Sequence, residues 1–351
     1  MPDPIGRACF VPKVPYPTIT AVDVTIFSPD TTQIDPKFAV FLLNAPIHLS
    51  QCESMASGIT HRRISRNNLS SVLLPVPPFS EQRQIAAVLG LVQRAIEQQE
   101  RLIALTTELK KALLHKFFVE GLRGEPQKQT EIGLVPESWE VNRLGDHCAS
   151  SAFGPRFTSN LYAPDGNVVT LRTTDLDDDG NIDYREAPKA RLKIEKFESH
   201  LLQTNDVVVS RSGTCGIAAV FQGYGMPVLP GAFLIRLRLA GRLRPQFLRF
   251  YVNSPVGRPR IMNLAQGAIQ KNISGTALKD FLVPVPSIEE QDEIEAHVKA
   301  IDRKLRVHTQ KKLALTDLFR TLLHQLMTAQ IRVNALDESV LTSNSHNRTY
   351  D

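Results

Sequence analysis

The chain lacks the residue patterns that most enzymes and most secreted or membrane proteins need. Its four cysteines, Cys9, Cys52, Cys148 and Cys215, are far apart and form no CxxC pair. That excludes a zinc ribbon and a disulfide scaffold, and predicts reduced thiols packed as small apolar residues in a cytoplasmic protein. No run approaches the roughly 18 apolar residues of a membrane span, and the opening MPDPIGRACF has no basic-then-apolar signal pattern. A phosphate-binding GxxxxGK[ST] loop is missing, so ATP-driven motion has no seat of that type. VPPF at 76–79 has the outline of an amino-methyltransferase tetrapeptide, but Val76 stands where an Asn or Asp must accept a hydrogen bond. Glu108-Leu109-Lys110 has a nuclease-like ExK form, yet it falls within a helical stripe with no acidic partner nearby in sequence.

Charge is present but unevenly spread. The formal net charge is +5, only mildly basic. Residues 165–187 carry seven acids against two arginines, whereas 189–260 carry twelve Lys/Arg against three acids. That contrast predicts a polarised surface. With 351 residues, 42% of them apolar, the chain can build two ordinary domains with connecting elements.

The sequence repeats itself at a spacing of 209. PKFAVFLLNAP at 36–46 matches PQFLRFYVNSP at 245–255, and LLPVPPFSEQ at 73–82 matches LVPVPSIEEQ at 282–291. Between 36 and 115 there are 24 identities in 80 ungapped positions, against roughly 5 expected by chance. Nearer the start the offset becomes 210, pairing Gly6 with Gly216 and Pro17 with Pro227.

Each copy predicts the same order of elements: a short amphipathic helix (36–44, 245–253), a polar loop, an extended VLLPVP or FLVPVP run, and a long helix. Alternating prolines hold the run extended. Ser80 and Ser287 stand near the N-caps, with Glu81, Glu289 and Glu290 in the first turns. The long helices, about 81–118 and 290–328, carry apolar stripes at Ile85, Leu89, Val92, Ile96 and at Ile294, Val298, Ile301, Leu305. This 4-3-4 spacing belongs to a coiled-coil seam. Two such stripes in one chain predict an antiparallel pair with a globular domain at each end. Gln99 and His308, both polar and 209 apart, then meet near its centre or face solvent as the stripe drifts. NVVTLRT, NDVVVS and FLIRLRL read as strands of a mixed α/β domain.

DLDDDGNIDYRE satisfies the calcium-loop pattern through Asp175, Asp177, Asp179, Gly180 and Glu186. Its flanks are β-like, and Ala187-Pro188 would block an exiting helix. An Asp/Gly turn between strands accounts for the same residues without metal.

Taken in order, these motifs resemble the type I restriction–modification specificity subunit over roughly residues 1–328. The carrying segments are IGLVPESWEVNRLGD (132–146), NDVVVSRSGTCGIAAV (205–220), and the paired PVPPFSEQRQIAAVL and PVPSIEEQDEIEAHV. The resemblance implies a mixed α/β fold, with target-recognition domains joined by two long helices in an antiparallel coiled coil. The implied division is a partial first recognition domain (1–79), a spacer helix (80–120), a linker (121–129), a second recognition domain (130–287), a second helix (288–329) and a disordered tail (330–351). The counterpart of 130–209 has no match before residue 1, so the first domain is expected to be incomplete and exposed along TITAVDVTIF.

The implied role is non-catalytic reading of a bipartite double-stranded DNA site, with no cofactor on this chain. Methyltransferase subunits would use S-adenosylmethionine, and a restriction subunit would use ATP and magnesium. Alternatives are the specificity subunit of a two-subunit restriction enzyme and a degenerate coiled-coil scaffold. Candidate DNA contacts are Arg172, Thr173 and Thr174 after a strand, then Arg211 and Ser212 beside Gly213 and Gly216. Arg156, Arg185, Arg191 and Lys193 follow. Lys271 and its repeat counterpart Arg62 are candidates for phosphate. Arginine reads guanine bidentately, whereas lysine mostly holds phosphate.

Overall fold

The computed structural model describes residues 4–11, 15–20, 23–59, 62–267 and 271–333. The expected tail beyond 333 lies outside them. The chain divides into two compact units, one of residues 1–104 with 306–351 and the other of residues 105–305.

The first unit is helical among the described residues. Helices α1 (Pro36–Leu43), α2 (Pro46–Ser54) and α3 (Arg66–Ser70) precede the first long helix, α4 (Phe79–Glu120). Asp35 caps α1 by accepting from Lys37 N and Phe38 N, with Pro36 preset for the first turn. Phe38, Leu42, Ile85 and Leu89 form a core with Leu323, Leu326 and Met327 of the last helix. That helix is α8 (Ile288–Met327), introduced here ahead of the elements between.

The second unit holds the sheets. Strands β1 (Gln127–Thr130) and β2 (Gly133–Pro136) form a hairpin, so the stretch read as linker already contributes residues 127–129 to a strand. Then follow β3 (Glu140–Arg143), β4 (Cys148–Phe153), β5 (Val168–Leu171), β6 (Lys189–Ala190), β7 (Val207–Ser210), β8 (Ala218–Val220), β9 (Val228–Pro230) and β10 (Leu234–Leu239). After helices α5 (Pro245–Asn253), α6 (Gly257–Met262) and α7 (Gly275–Lys279) comes β11 (Leu282–Val285). The order β4-β10-β7-β8 is antiparallel throughout; β6-β5-β9 contains a parallel pair, β5 with β9. Strands β5, β7, β8 and β9 are buried at every residue, as their predominantly apolar runs require. Trp139, Phe247, Tyr251 and Phe118 pack edge-on at the centre of the main core.

Within each unit the long helices run antiparallel. Glu100 pairs with Lys312 at 2.9 Å in the first, and Lys110 with Asp302 at 2.8 Å in the second. The stripe residues Ile85, Leu89, Val92, Ile294 and Val298 are buried; Ile96, Ile301 and Leu305 are half-buried.

Two sets of polar contacts repeat atom for atom between the copies. Gln82 donates to the carbonyls of Gln33 and Pro77 and accepts from Asp35 N. Gln291 does the same with Arg242, Pro286 and Arg244 N, each 209 further on. Asn44 clamps Ala8, and Asn253 clamps Ala218, through the same pair of bonds. The offset there is 210 on one side and 209 on the other, as the sequence alignment requires.

Two expectations need correction, at Ser80 and at Cys9. Ser287 does cap α8, accepting from Glu290 N, but Ser80 lies inside α4. Within FLVPVP, Leu282–Val285 forms β11 against β3, whereas 72–77 belongs to no strand among the described residues. Leu73 is 83% exposed, whereas its counterpart Leu282 is half-buried in β11. Cys52 and Cys215 are buried and Cys148 is half-buried, but Cys9 is exposed. In the apolar segment expected to be uncovered, of which residues 21 and 22 lie outside the described residues, Ile19, Ile26 and Phe27 face solvent.

Candidate nucleic-acid interface

In the second unit, the loop after β7 is held on every side by its own backbone. Arg211 N donates to Phe233 O, and Arg211 O accepts from Ile273 N, both at 2.9 Å. Ser210 Oγ donates to Thr214 O and accepts from Ile217 N. Gly213 and Gly216 take φ of +74° and +76°, a conformation that favours glycine. At Gly216 a Cβ would also lie 2.8 Å from Ile261 Cγ2. The Cys215 thiol donates to the carbonyls of Arg211 and Lys271, and burial raises its pKa.

This anchoring places several expected residues together. The Arg211 guanidinium lies 4.4 Å above the Phe153 ring centroid, and its Nε donates to Asn272 Oδ1 at 3.0 Å. Such stacking leaves the outer guanidinium edge oriented rather than freely rotating. Ser212 is buried and bridges to Asn272, next to the exposed Lys271. A side chain at Gly213 would come 3.9 Å from Thr173 Oγ1, so the turn at Thr173–Asp175 lies alongside. Thr174 in the same turn is exposed.

Arg172 is differently engaged. Its guanidinium grips the buried Asp175 carboxylate at 2.7 Å and the Glu186 carbonyl at 2.6 Å; the hydrogen bond to Asp175 raises its pKa. It ties together the two ends of the acidic segment. Arg185 pairs with Asp183, which it holds down to about 2, and Arg191 pairs with Asp165 at 2.5 Å. Arg156 and Lys193 are exposed. Arg62, in the other unit, is bound to both the carboxylate and the carbonyl of Glu53.

The acidic segment is a tight turn. Asp177 accepts from Asp179 N, Asn181 N and Asn181 Nδ2, and Leu176 bridges to Ile182. Its carboxylates point to separate partners: Asp175 to Arg172, and Asp179 to Lys110. Among the described residues no group of three or more His, Cys, Asp or Glu side chains is placed to hold a metal ion.

Phe153 and Asn272 were not singled out in the sequence. Asn272 carries a weak signal, as the neighbour of Lys271 in the repeat; Phe153 carries none, because only strand pairing brings β4 beneath the loop.

Similarity to known proteins accords with this architecture. The family model for the type I restriction modification DNA specificity domain matches residues 3–107 and 136–317. The putative type I restriction enzyme MjaX specificity subunit of Methanocaldococcus jannaschii is 26% identical over 341 residues, covering 94% of this chain and 76% of that protein. The EcoBI specificity subunit of Escherichia coli is 25% identical, covering 84% and 62%. In fold, the chain aligns with the S subunit of the type I system from M. genitalium at a TM-score of 0.54 and 19% identity, covering 85% and 74%. A chain from a structure on complex assembly and conformational transition of the type I R-M system aligns at 0.57 and 19%, covering 85% and 72%. The chain belongs to the family of type I restriction–modification specificity subunits.

Proposed function

We propose that this chain reads double-stranded DNA sequence for a type I restriction–modification complex and itself carries no catalytic step and no cofactor. Methylation and cleavage then fall to methyltransferase and restriction subunits, which the chain directs to the site. The observation that carries this reading is the convergence of Arg211, Thr173 and Lys271 on one loop-built surface, with the buried Ser212 anchoring the loop beneath it. A stacked arginine edge supplies directional donors for a base, a lysine supplies phosphate attraction, and glycine gives backbone room for close approach. Arg172 acts in this reading as a positioning residue that shapes the Thr173–Thr174 turn, while Arg156, Arg185, Arg191, Lys193 and Arg62 make peripheral phosphate contacts.

The test is DNA binding by the chain co-purified with its methyltransferase subunit. Arg211→Ala should weaken specific binding by about 1–3 kcal/mol with little loss of non-specific affinity. Lys271→Ala should weaken both alike and reduce the salt slope by about 1. Unchanged affinity of both variants at matched salt would remove this surface as the reader.

A further inference from the structure

The two copies of the repeat differ at one seat, and the difference specifies a ligand. In the second unit the acidic turn rests on β8, α5 and the long helices. Gly180 lies so close to Ala218 O that a Cβ there would come within 1.9 Å of it. Arg249 Nε donates to Asp179 O at 2.9 Å, and Lys110 Nζ meets the Asp179 carboxylate at 2.9 Å and Asp302 at 2.8 Å.

The first unit has the same seat, open. The repeat maps Ala218 to Ala8, Asn253 to Asn44, Arg249 to Val40, Lys110 to Phe319 and Asp302 to Gln93. All five counterparts line a groove of about 1440 Å³. Its backbone wall is already set, because Asn44 holds Ala8 as Asn253 holds Ala218. The charged floor of the second unit is replaced by an apolar one, where Phe41 and Phe319 pack at 6.0 Å between centroids. The rim is basic, with exposed Arg83, Arg94 and Arg320.

We propose that this groove is a docking seat for a glycine-tipped β-turn, with an apolar residue just before the glycine and acids beside it. The glycine is required by the approach to Ala8 O. The apolar residue is required because Val40 and Phe319 give a carboxylate no cation on the groove floor, and an unpaired buried charge is costly. Acids on either side suit the arginine rim. A second copy of this chain is a poor occupant, since its own turn carries Asp179 at that position. The proposal does not depend on DNA reading.

The probe is a lactam-bridged peptide with the sequence of residues 174–185 carrying Asp179→Leu, titrated against the full chain by NMR. Saturable binding is expected, at least about tenfold tighter than for the unsubstituted peptide. Gly180→Val in the same peptide should abolish it, an arm independent of how any protein variant folds. A Val40→Arg, Phe319→Lys double variant of the chain should reverse the preference toward the aspartate peptide. The proposal is overturned by no saturable binding up to about 1 mM, by equal affinity for the aspartate peptide, or by binding that survives Gly180→Val.

Discussion

Gln99 Oε1 accepts a hydrogen bond from His308 Nδ1 at 2.9 Å, and the two residues are repeat counterparts, 209 apart. An antiparallel helix pair lets a residue meet its own counterpart at one level only. The polar contact therefore marks that level, between seam stripes that are apolar on either side. Replacing either residue alone with leucine should cost about 0.5–1.5 kcal/mol, while replacing both should be neutral or stabilising. A double-mutant cycle by urea unfolding measures this, and additive single effects would show that the contact sets no register.

Lys110 is buried and holds Asp179 and Asp302 together. Lys110→Ala should destabilise the second unit by about 1–3 kcal/mol, because two carboxylates then face each other without a cation. Hydrogen exchange should show the 175–186 turn opening first. Unchanged protection of that turn would mean that Gly180 packing alone seats it.

Thiol reactivity should separate the cysteines. Burial pushes the Cys148 thiol up to about 11, and raises Cys52 and Cys215 as well. At pH 8 only about one Cys148 in a thousand is thiolate, and the thiolate is what alkylates. Cys9 is exposed and should be modified by iodoacetamide first, with Cys148 reacting as pH rises toward 11 or on unfolding. Mass spectrometry after brief labelling checks the order, and early modification of Cys215 would contradict the anchored loop.

The purified chain should show no turnover with S-adenosylmethionine or with ATP and magnesium. Turnover in a preparation free of partner subunits would place catalysis on this chain and end the non-catalytic reading.

Much of the fold was legible because duplication made it so. Aligning Gln82 with Gln291, Asn44 with Asn253 and Ala8 with Ala218 required only two offsets, and the polar contacts repeat at those same offsets. Helix periodicity located α4 and α8 within two residues at each end. Strand pairing was not legible, since β5 with β9 pairs residues 59 apart and nothing local fixes a parallel register. Glu290 shows the same limit. As a first-turn acid it suits a helix start, yet it is buried and accepts from Leu122 N and Trp139 Nε1. Arg172 looked as available as Arg211 by residue type; only the fold reveals that Asp175 occupies it.

The most direct test is methylome sequencing of cells carrying this chain with its methyltransferase subunit. The native chain should give one reproducible methylated motif. Arg211→Ala should relax or abolish it, whereas Arg123→Ala, which removes an exposed pair with Glu293, should leave it intact. An identical motif from chains carrying Arg211→Ala and Lys271→Ala together would contradict the assignment of sequence reading to this loop.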